Sequence, residues 1–471
     1  MEEARRAAAG RAEASDAHVE GLPKMTRFTR RQAMQLGLGA AGAAFAPGLL
    51  SSRAFGQDVV KLVNVEHDTR PLDNAAYQAV YEAFRAKNPG IEIEFQQLPW
   101  EQARPKLLTQ AQGNTLPDVG RVVWVSDFAA ADMIVPIEDR VPAASLERFD
   151  PLFVEQAYGI GPDGQKHLYG VPWFVGTHSV LVNKTLFDKA GLELKDDWTT
   201  DEFAEYCKAL TIEGQQWGVA MNASGIGDPV QIFLMAIYAY GGKWVNGDPR
   251  SNTPEPIVFD SEETAAGIEW YTNLYLNGYA VPSTPTDTYK ERDANFQSGK
   301  AAIEWQGPWS LRETRENFEK GGWELASMPL PKGPAGAFPT SIGGGMTGLF
   351  RGARTSGHED QAFAWVDFLS SDEGQRIYCM TNGMIPASKA VQADPFWAED
   401  PLYKGYIGTM ATTKVLAPIW ATGFDALLDD IVPPLLQGVL LGQLKPRDAA
   451  SQIQQQLIQG LQMNGVDVPN S

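Results

Sequence analysis

The stretch VVKLVNVEHDTRPLDNAAYQAVYEAFRAKNPGIEIEF, residues 59–95, decides the fold. Val59 to Val65 is an apolar run rich in β-branched residues, the composition of a strand. Glu66-His67-Asp68-Thr69-Arg70-Pro71 is a polar loop. Asp73 is placed to cap a helix in which Tyr77, Val80, Tyr81 and Phe84 recur at helical spacing. Asn88-Pro89-Gly90 ends that helix, and Ile91, Ile93 and Phe95 then alternate with polar residues as a half-buried strand does. Further on, a helix around Ala103 to Gln112 leads through Leu116-Pro117-Asp118 to a strand over Val119 to Val125. The order β-α-β-α-β calls for a largely parallel sheet covered by helices. Open α/β sheets bind ligands at the loops that follow the carboxyl ends of their strands. This selects Glu66 to Arg70 and Trp124 to Asp127.

A second α/β unit begins near Tyr169-Gly170-Val171-Pro172-Trp173, with Val180 to Asn183 as its strand. Thr199 and Glu202 form a capping box, and Phe203, Tyr206, Cys207 and Leu210 make the apolar stripe behind it. A long apolar helix over Val230 to Tyr240 stops at Gly241-Gly242, and another runs from Glu262 to Asn277. Phe296 to Trp309 reads as a helix end, a turn, a short strand and a Gly307-Pro308-Trp309 loop opening a further helix. Ile342-Gly343-Gly344-Gly345 lacks the Gly-Lys-Ser/Thr ending of a phosphate loop, so bare backbone approaching a ligand or another segment is the better reading. The C-terminal third is helical, and its last helix carries Ala450, Ile453, Leu457 and Leu461 on one face.

In front of these units lies an export-signal pattern over residues 25–56. Met25 begins a basic segment with the pair Arg30-Arg31, an uncharged run from Leu36 to Ser52 follows, and Ala54-Phe55-Gly56 offers small residues for cleavage. The paired arginines favour the twin-arginine route. Met1 to Lys24 do not suit such a signal, which makes Met25 the expected initiator. The chain beyond Gly56 exceeds the ~250–300 residues at which single cores stop growing, so two lobes are expected. With 58 acidic against 39 basic residues the net charge is −19, which argues against nucleic acid and anionic membrane as partners and fits a soluble monomer. Cys207 and Cys379 are the only cysteines and show no metal-ligand spacing. They read as small buried side chains, with a disulfide as the alternative. No cofactor motif is present, so no cofactor is expected.

Thirteen tryptophans stand in the 471 residues. Most belong in a core, since Trp is highly buried on average. Trp124, Trp173, Trp305, Trp309 and Trp420 instead fall at strand ends or in turns, where an indole can offer its flat apolar face to the C–H face of a pyranose. Asp127 near Trp124 and Glu304 beside Trp305 could pair with the hydroxyls. Each single Trp remains open to either role, with Trp305 and Trp309 around Gly307-Pro308 expected at the ligand. A carbohydrate-active enzyme using Asp68, Asp127 and Glu304 is the alternative, since glycosidases set two carboxylates in such a cleft.

These landmarks together resemble the extracellular solute-binding proteins, family 1, of ATP-driven sugar importers, over Val59 to Gln462. The resemblance rests on Asn88 to Ile93, Leu116-Pro117-Asp118-Val119, Leu168 to Pro172, Val182 to Phe187, Ala190-Gly191-Leu192, Trp198 to Phe203, Phe296 to Ala302, Gly307-Pro308-Trp309 and Asn382 to Pro386, in the family's order. It implies an α/β fold of the two-lobe periplasmic-binding-protein type (type II), with the ligand in the cleft. Lobe 1 would be 58–170 plus 330–378, and lobe 2 would be 171–329 plus 379–471. It implies a periplasmic binding protein that captures a mono- or oligosaccharide or polyol by hinge closure, catalyses nothing and hands its ligand to the permease subunits of an ABC importer. By position, the family's contacts carry to Glu66, His67 and Asp68, to Trp124 and Asp127, to Trp173, to Asp228 and Gln231, to Gly307 and Trp309, and to Gly343 and Gly344. Trp305 and Trp420 complete the candidate site. Where maltose-binding protein has an acid and a tyrosine before its paired glycines, Pro229 and Gln231 stand here, so a maltose specificity is not implied.

Overall fold

The computed structural model describes residues 59–336, 344–410 and 417–469. The expected export signal and Gly343 lie outside them. The described strands are β1 (Val60–Glu66), β2 (Ile91–Gln97), β3 (Val119–Val122), β4 (Ile134–Val135), β5 (Tyr158–Ile160), β6 (Lys166–Leu168), β7 (Val171–Val175), β8 (Ser179–Asn183), β9 (Trp217–Ala220), β10 (Ala301–Gln306), β11 (Leu325–Met328), β12 (Gly345–Phe350) and β13 (Ile385–Pro386). They form two main sheets. The first runs β13-β7-β12-β3-β1-β2, with β4 paired to β12, and the second runs β11-β8-β10-β9.

The opening βαβαβ unit folds as its pattern requires. β1 lies parallel to β2, with Val60 opposite Ile91, and parallel to β3, with Asn64 opposite Val119. The helix Pro71–Lys87 between β1 and β2 buries Tyr77, Val80, Tyr81 and Phe84, the residues of the expected stripe. Asp73 caps it from the third helical position and not from the N-cap, which is Arg70. Pro71, whose fixed φ suits a first helical turn, opens the helix after Arg70, and the Asp73 carboxylate reaches back to accept from the Arg70 backbone N–H at 3.2 Å. Nor does the third strand reach Val125. The chain leaves the sheet after Val122, and Val125–Ala130 is a short helix. An unbroken run of apolar residues cannot by itself separate a strand from a buried helical turn.

The later units follow their signals closely. The capping box at Thr199 forms in both directions, with Glu202 N–H donating to Thr199 Oγ1 at 3.2 Å and Thr199 N–H to Glu202 Oε2 at 2.8 Å. The helices Asp228–Ala239 and Glu262–Leu276 pack together, and the C-terminal helices Phe424–Leu440 and Pro446–Met463 cover them. Ala450, Ile453, Leu457 and Leu461 are all buried on that inner face.

Two hydrophobic clusters fill the molecule: one is built around the first sheet, holds Cys379 and extends to Leu181, Ala220 and Ala301 of the second, and the other is built on the second sheet and its helices and holds Cys207. Both cysteines are free and buried, so the disulfide alternative is not realised. Hydrogen bonding carries β7 and β13 with the first sheet, beyond the boundaries expected at residues 170 and 378. Gly120 shows why the first sheet is so closely spaced at β1. It has φ +150°, and a Cβ there would stand 2.2 Å from the Val65 carbonyl oxygen.

Candidate binding site

The loops after β1, β2 and β3 converge at the carboxyl end of the first sheet. His67 follows β1 and is buried, with its ring 5.5 Å from Trp124 and 6.2 Å from Trp100. The two indoles lie 5.2 Å apart, so the three rings form one aromatic wall. Burial, with the Arg121 guanidinium nearby, pushes the His67 imidazole down to about 3, so this ring is neutral. Asp68 accepts from Arg121 Nη1 at 2.7 Å, and the Arg121 guanidinium lies 5.8 Å from the Trp100 ring and 4.9 Å from Phe174. Asp127 accepts from Arg104 Nη2 at 2.7 Å and from the backbone N–H of Gly423 at 2.5 Å.

Other expected contacts face inwards. Glu66 lies at the end of β1, where the side chain alternates into the core. It accepts from Asn64 Nδ2 at 2.9 Å and from the Tyr77 hydroxyl at 3.3 Å, and burial pushes its carboxyl up to about 8. Trp173 is wholly buried against Tyr378, with ring centroids 4.2 Å apart. Trp305 is buried too, stacked on Phe203 at 4.6 Å within the second core. Its place on β10 explains this, because side chains of that strand are buried on both faces of the sheet. Trp420 packs in the second core, three residues before Gly423. Gly344 sits against the β7 backbone, where a Cβ would meet the Phe174 carbonyl oxygen at 2.7 Å.

The second sheet presents its own cluster. In the β8–β10 register Ser179 lies opposite Gln306, which sets His178 beside the Gly307-Pro308-Trp309 turn. The half-buried Trp309 ring stands edge-on to His178 at 5.2 Å. It folds back over Gly307, where a Cβ would come within 2.1 Å of the indole. Asp228 opens the helix Asp228–Ala239, bonds Arg292 and stands 3.5 Å from His178 Nε2. Gln231 is half-buried one turn further on. Arg70, from the first sheet's loop, donates to the Trp309 carbonyl oxygen. A Cβ on Gly227 would stand 3.0 Å from Trp100 Nε1, so this indole also reaches the second cluster.

The structure therefore brings together His67, Asp68, Trp124 and Asp127 on one side, and Asp228, Gly307 and Trp309 on the other. Trp100, His178 and Arg292 join them without having been expected, and Arg121, a cation the sequence places near these loops, is there as Asp68's partner. Trp100 had a legible signal: it follows the carboxyl end of β2, a row position equivalent to His67 and Trp124. The three carboxylates of the enzyme alternative are held apart by three different arginines, Arg121 on Asp68, Arg104 on Asp127 and Arg292 on Glu304.

Residues 69–376 match the model of the bacterial extracellular solute-binding protein, and the chain belongs to this family, one of binding proteins and not of enzymes. It is 25% identical over 385 residues to the maltotriose-binding protein of Pyrococcus abyssi, covering 79% of this chain and 77% of that one. It is also 25% identical over 387 residues to the diacetylchitobiose binding protein DasA of Streptomyces coelicolor, covering 79% and 83%. Among solved structures, the GacH receptor of Streptomyces glaucescens, studied unliganded and with acarbose, has the same fold with a TM-score of 0.73 at 23% identity, over 85% of this chain and 98% of that one.

Proposed function

We propose that this protein is the substrate-binding component of an ABC importer and captures a neutral carbohydrate, a mono- or oligosaccharide or a polyol. The observation that carries this is the Trp100–Trp124–His67 wall, whose Trp100 reaches Gly227 at the head of the Asp228 helix, while Arg70 of the same loop row bonds the carbonyl of Trp309 in the second cluster. Flat apolar rings beside carboxylate–arginine pairs suit a ligand with C–H faces and many hydroxyls. The sugars named for its relatives support the same class.

Asp68, Asp127 and Asp228 are each paired with an arginine, and Arg292 serves three carboxylates at once, so the walls carry donors and acceptors without a surplus cation for a phosphate. The two sheets are the natural lobes, joined where the chain passes from β7 to β8, from β11 to β12, and from β13 to the C-terminal helices. Closure of one upon the other would bury the ligand and create the surface read by the membrane permease. The twin-arginine pattern of residues 25–56 fits delivery of the folded protein to the periplasm. Among the described residues no helix is long and apolar enough to cross a membrane.

The test is calorimetric titration with maltotriose, N,N′-diacetylchitobiose, monosaccharides and mannitol. One ligand per chain, recovered unchanged after incubation, is the expected result. Absence of binding across the panel refutes the carbohydrate reading, and turnover of a bound sugar restores the enzyme alternative.

A further inference from the structure

Resting on that reading, the geometry points to Arg292 as a positioning residue that holds Asp228 and Asn222 as an acceptor and a donor for adjacent hydroxyls of the ligand. Arg292 lies on the helix Tyr289–Gln297 and is wholly buried. Its Nε donates to Glu304 Oε1 at 2.7 Å, its Nη2 to Asp293 Oδ1 at 2.8 Å, and its Nη1 to Asn222 Oδ1 at 3.3 Å and to Asp228. A buried ion pair is weak evidence for a stability role, because desolvation offsets much of its attraction. One cation among three carboxylates is better explained by what it orients.

What it orients lies at one end of the second sheet. Asn222 follows the end of β9, Trp309 follows the end of β10, and His178 precedes the antiparallel β8. Because Arg292 can only donate, it fixes the amide of Asn222 with Oδ1 inward, leaving Nδ2 as a free donor. That Nδ2 has no hydrogen-bond partner in the protein, nor do His178 Nδ1 and Thr177 Oγ1, although all three residues are 0% exposed. Buried polar atoms without partners are rare in native proteins and ask for an explanation. Asp228 keeps 11% of its side chain exposed and offers acceptor capacity beyond its bond to Arg292. A carboxylate beside an amide N–H matches two neighbouring hydroxyls, one donating and one accepting. Trp309, against His178, supplies the apolar face next to them.

The charge state of Asp228 follows from the same cluster. Burial pushes its carboxyl up, but Arg292 and the bond from His178 together hold it below the ordinary carboxylate range. Arg292, His178, Asp293, Glu304 and Tyr271 are the ionisable groups around it. Without the Arg292 charge, Asp228 would take up a proton at higher pH and lose its acceptor role.

The test titrates maltotriose, N,N′-diacetylchitobiose and mannitol into wild type, Asp228→Asn, and the double variant R292M/E304Q, which removes the cation and one buried counter-charge together. For a ligand that wild type binds, Asp228→Asn should weaken affinity about 10-fold or more, as loss of a charge-assisted bond does. The double variant should weaken it about 10-fold near pH 8 and further towards pH 5, while Asp228→Asn shows no such acid limb. Adding Asp228→Asn to the double variant should cost nothing more. Wild-type affinity in the folded double variant at both pH values overturns the inference, as do losses that multiply. Should the double variant not fold, Arg292→Lys keeps the charge without the planar fork, and unchanged affinity there also overturns it. If wild type binds none of the three, the monosaccharides of the wider panel take their place, and failure there too is failure of the carbohydrate reading itself.

Discussion

Trp309 is where one substitution can tell the proposed binding role from a structural one. Its ring is half-buried, lies over Gly307 and meets His178, so it is less committed to the core than Trp305 or Trp173. Trp309→Ala should lower ligand affinity by about 2–4 kcal/mol, the scale of a hot-spot truncation. Trp305→Ala should instead cost about 3–5 kcal/mol of stability, as a core deletion does, and calorimetry with thermal melts on both variants checks the reversal. Glu66 gives a pH signature. Its carboxyl is held at about 8 in the folded protein against an ordinary 4.5, so folding favours the protonated form. The associated stability is present below the unfolded value and is lost as pH rises through the folded one. Glu66→Gln keeps an acceptor for Asn64 and Tyr77 but carries no charge. It should therefore melt above wild type near pH 8, and the gap should close by about pH 4.5. A constant gap across that range would remove the ionisation from the account.

At the scale of elements, Gly120 couples β1 to β3 through a conformation and a spacing that a Cβ cannot share. Gly120→Ala should destabilise the protein by about 3 kcal/mol, the upper range of overpacking, read as a lower urea midpoint with an unchanged slope. Elements were the most legible part of the sequence. The stripe at Tyr77, Val80, Tyr81 and Phe84, the box at Thr199 and Glu202, and the C-terminal face at Ile453 and Leu457 are local signals with one physical solution. Their ends were less so, because Asp73 at the third helical position and Asp73 as the N-cap look alike until Pro71 is seen to start the helix. The site was half legible. Strand-end logic found His67, Asp68, Trp124 and Trp309, but it could not tell that β10 buries Trp305 and Glu304 on its two faces. His178 and Arg292 were invisible because their roles come from partners 50 and 64 residues away; Arg121 could be placed near the loops, but its partner Asp68, 53 residues away, could not.

For the whole molecule, the two sheets share apolar packing, since the first cluster reaches Leu181, Ala220 and Ala301 of the second sheet, and polar bridges cross between them as well. Arg70 reaches Trp309, and Asp127 reaches Gly423. A ligand that touches both sides stabilises the joined state by mass action, about 2.7 kcal/mol at a hundredfold excess over Kd. The two free cysteines turn this architecture into a clock with two hands. Cys379 is sealed in the first core and Cys207 in the second, and burial pushes both thiols well above their ordinary value. A thiol reagent can therefore reach each one only when its own half opens. Mass spectrometry of the labelled sites should show two distinct rates in the free protein. A ligand gripping both halves should slow the two together, and slowing of one alone would mean that only that half holds the ligand.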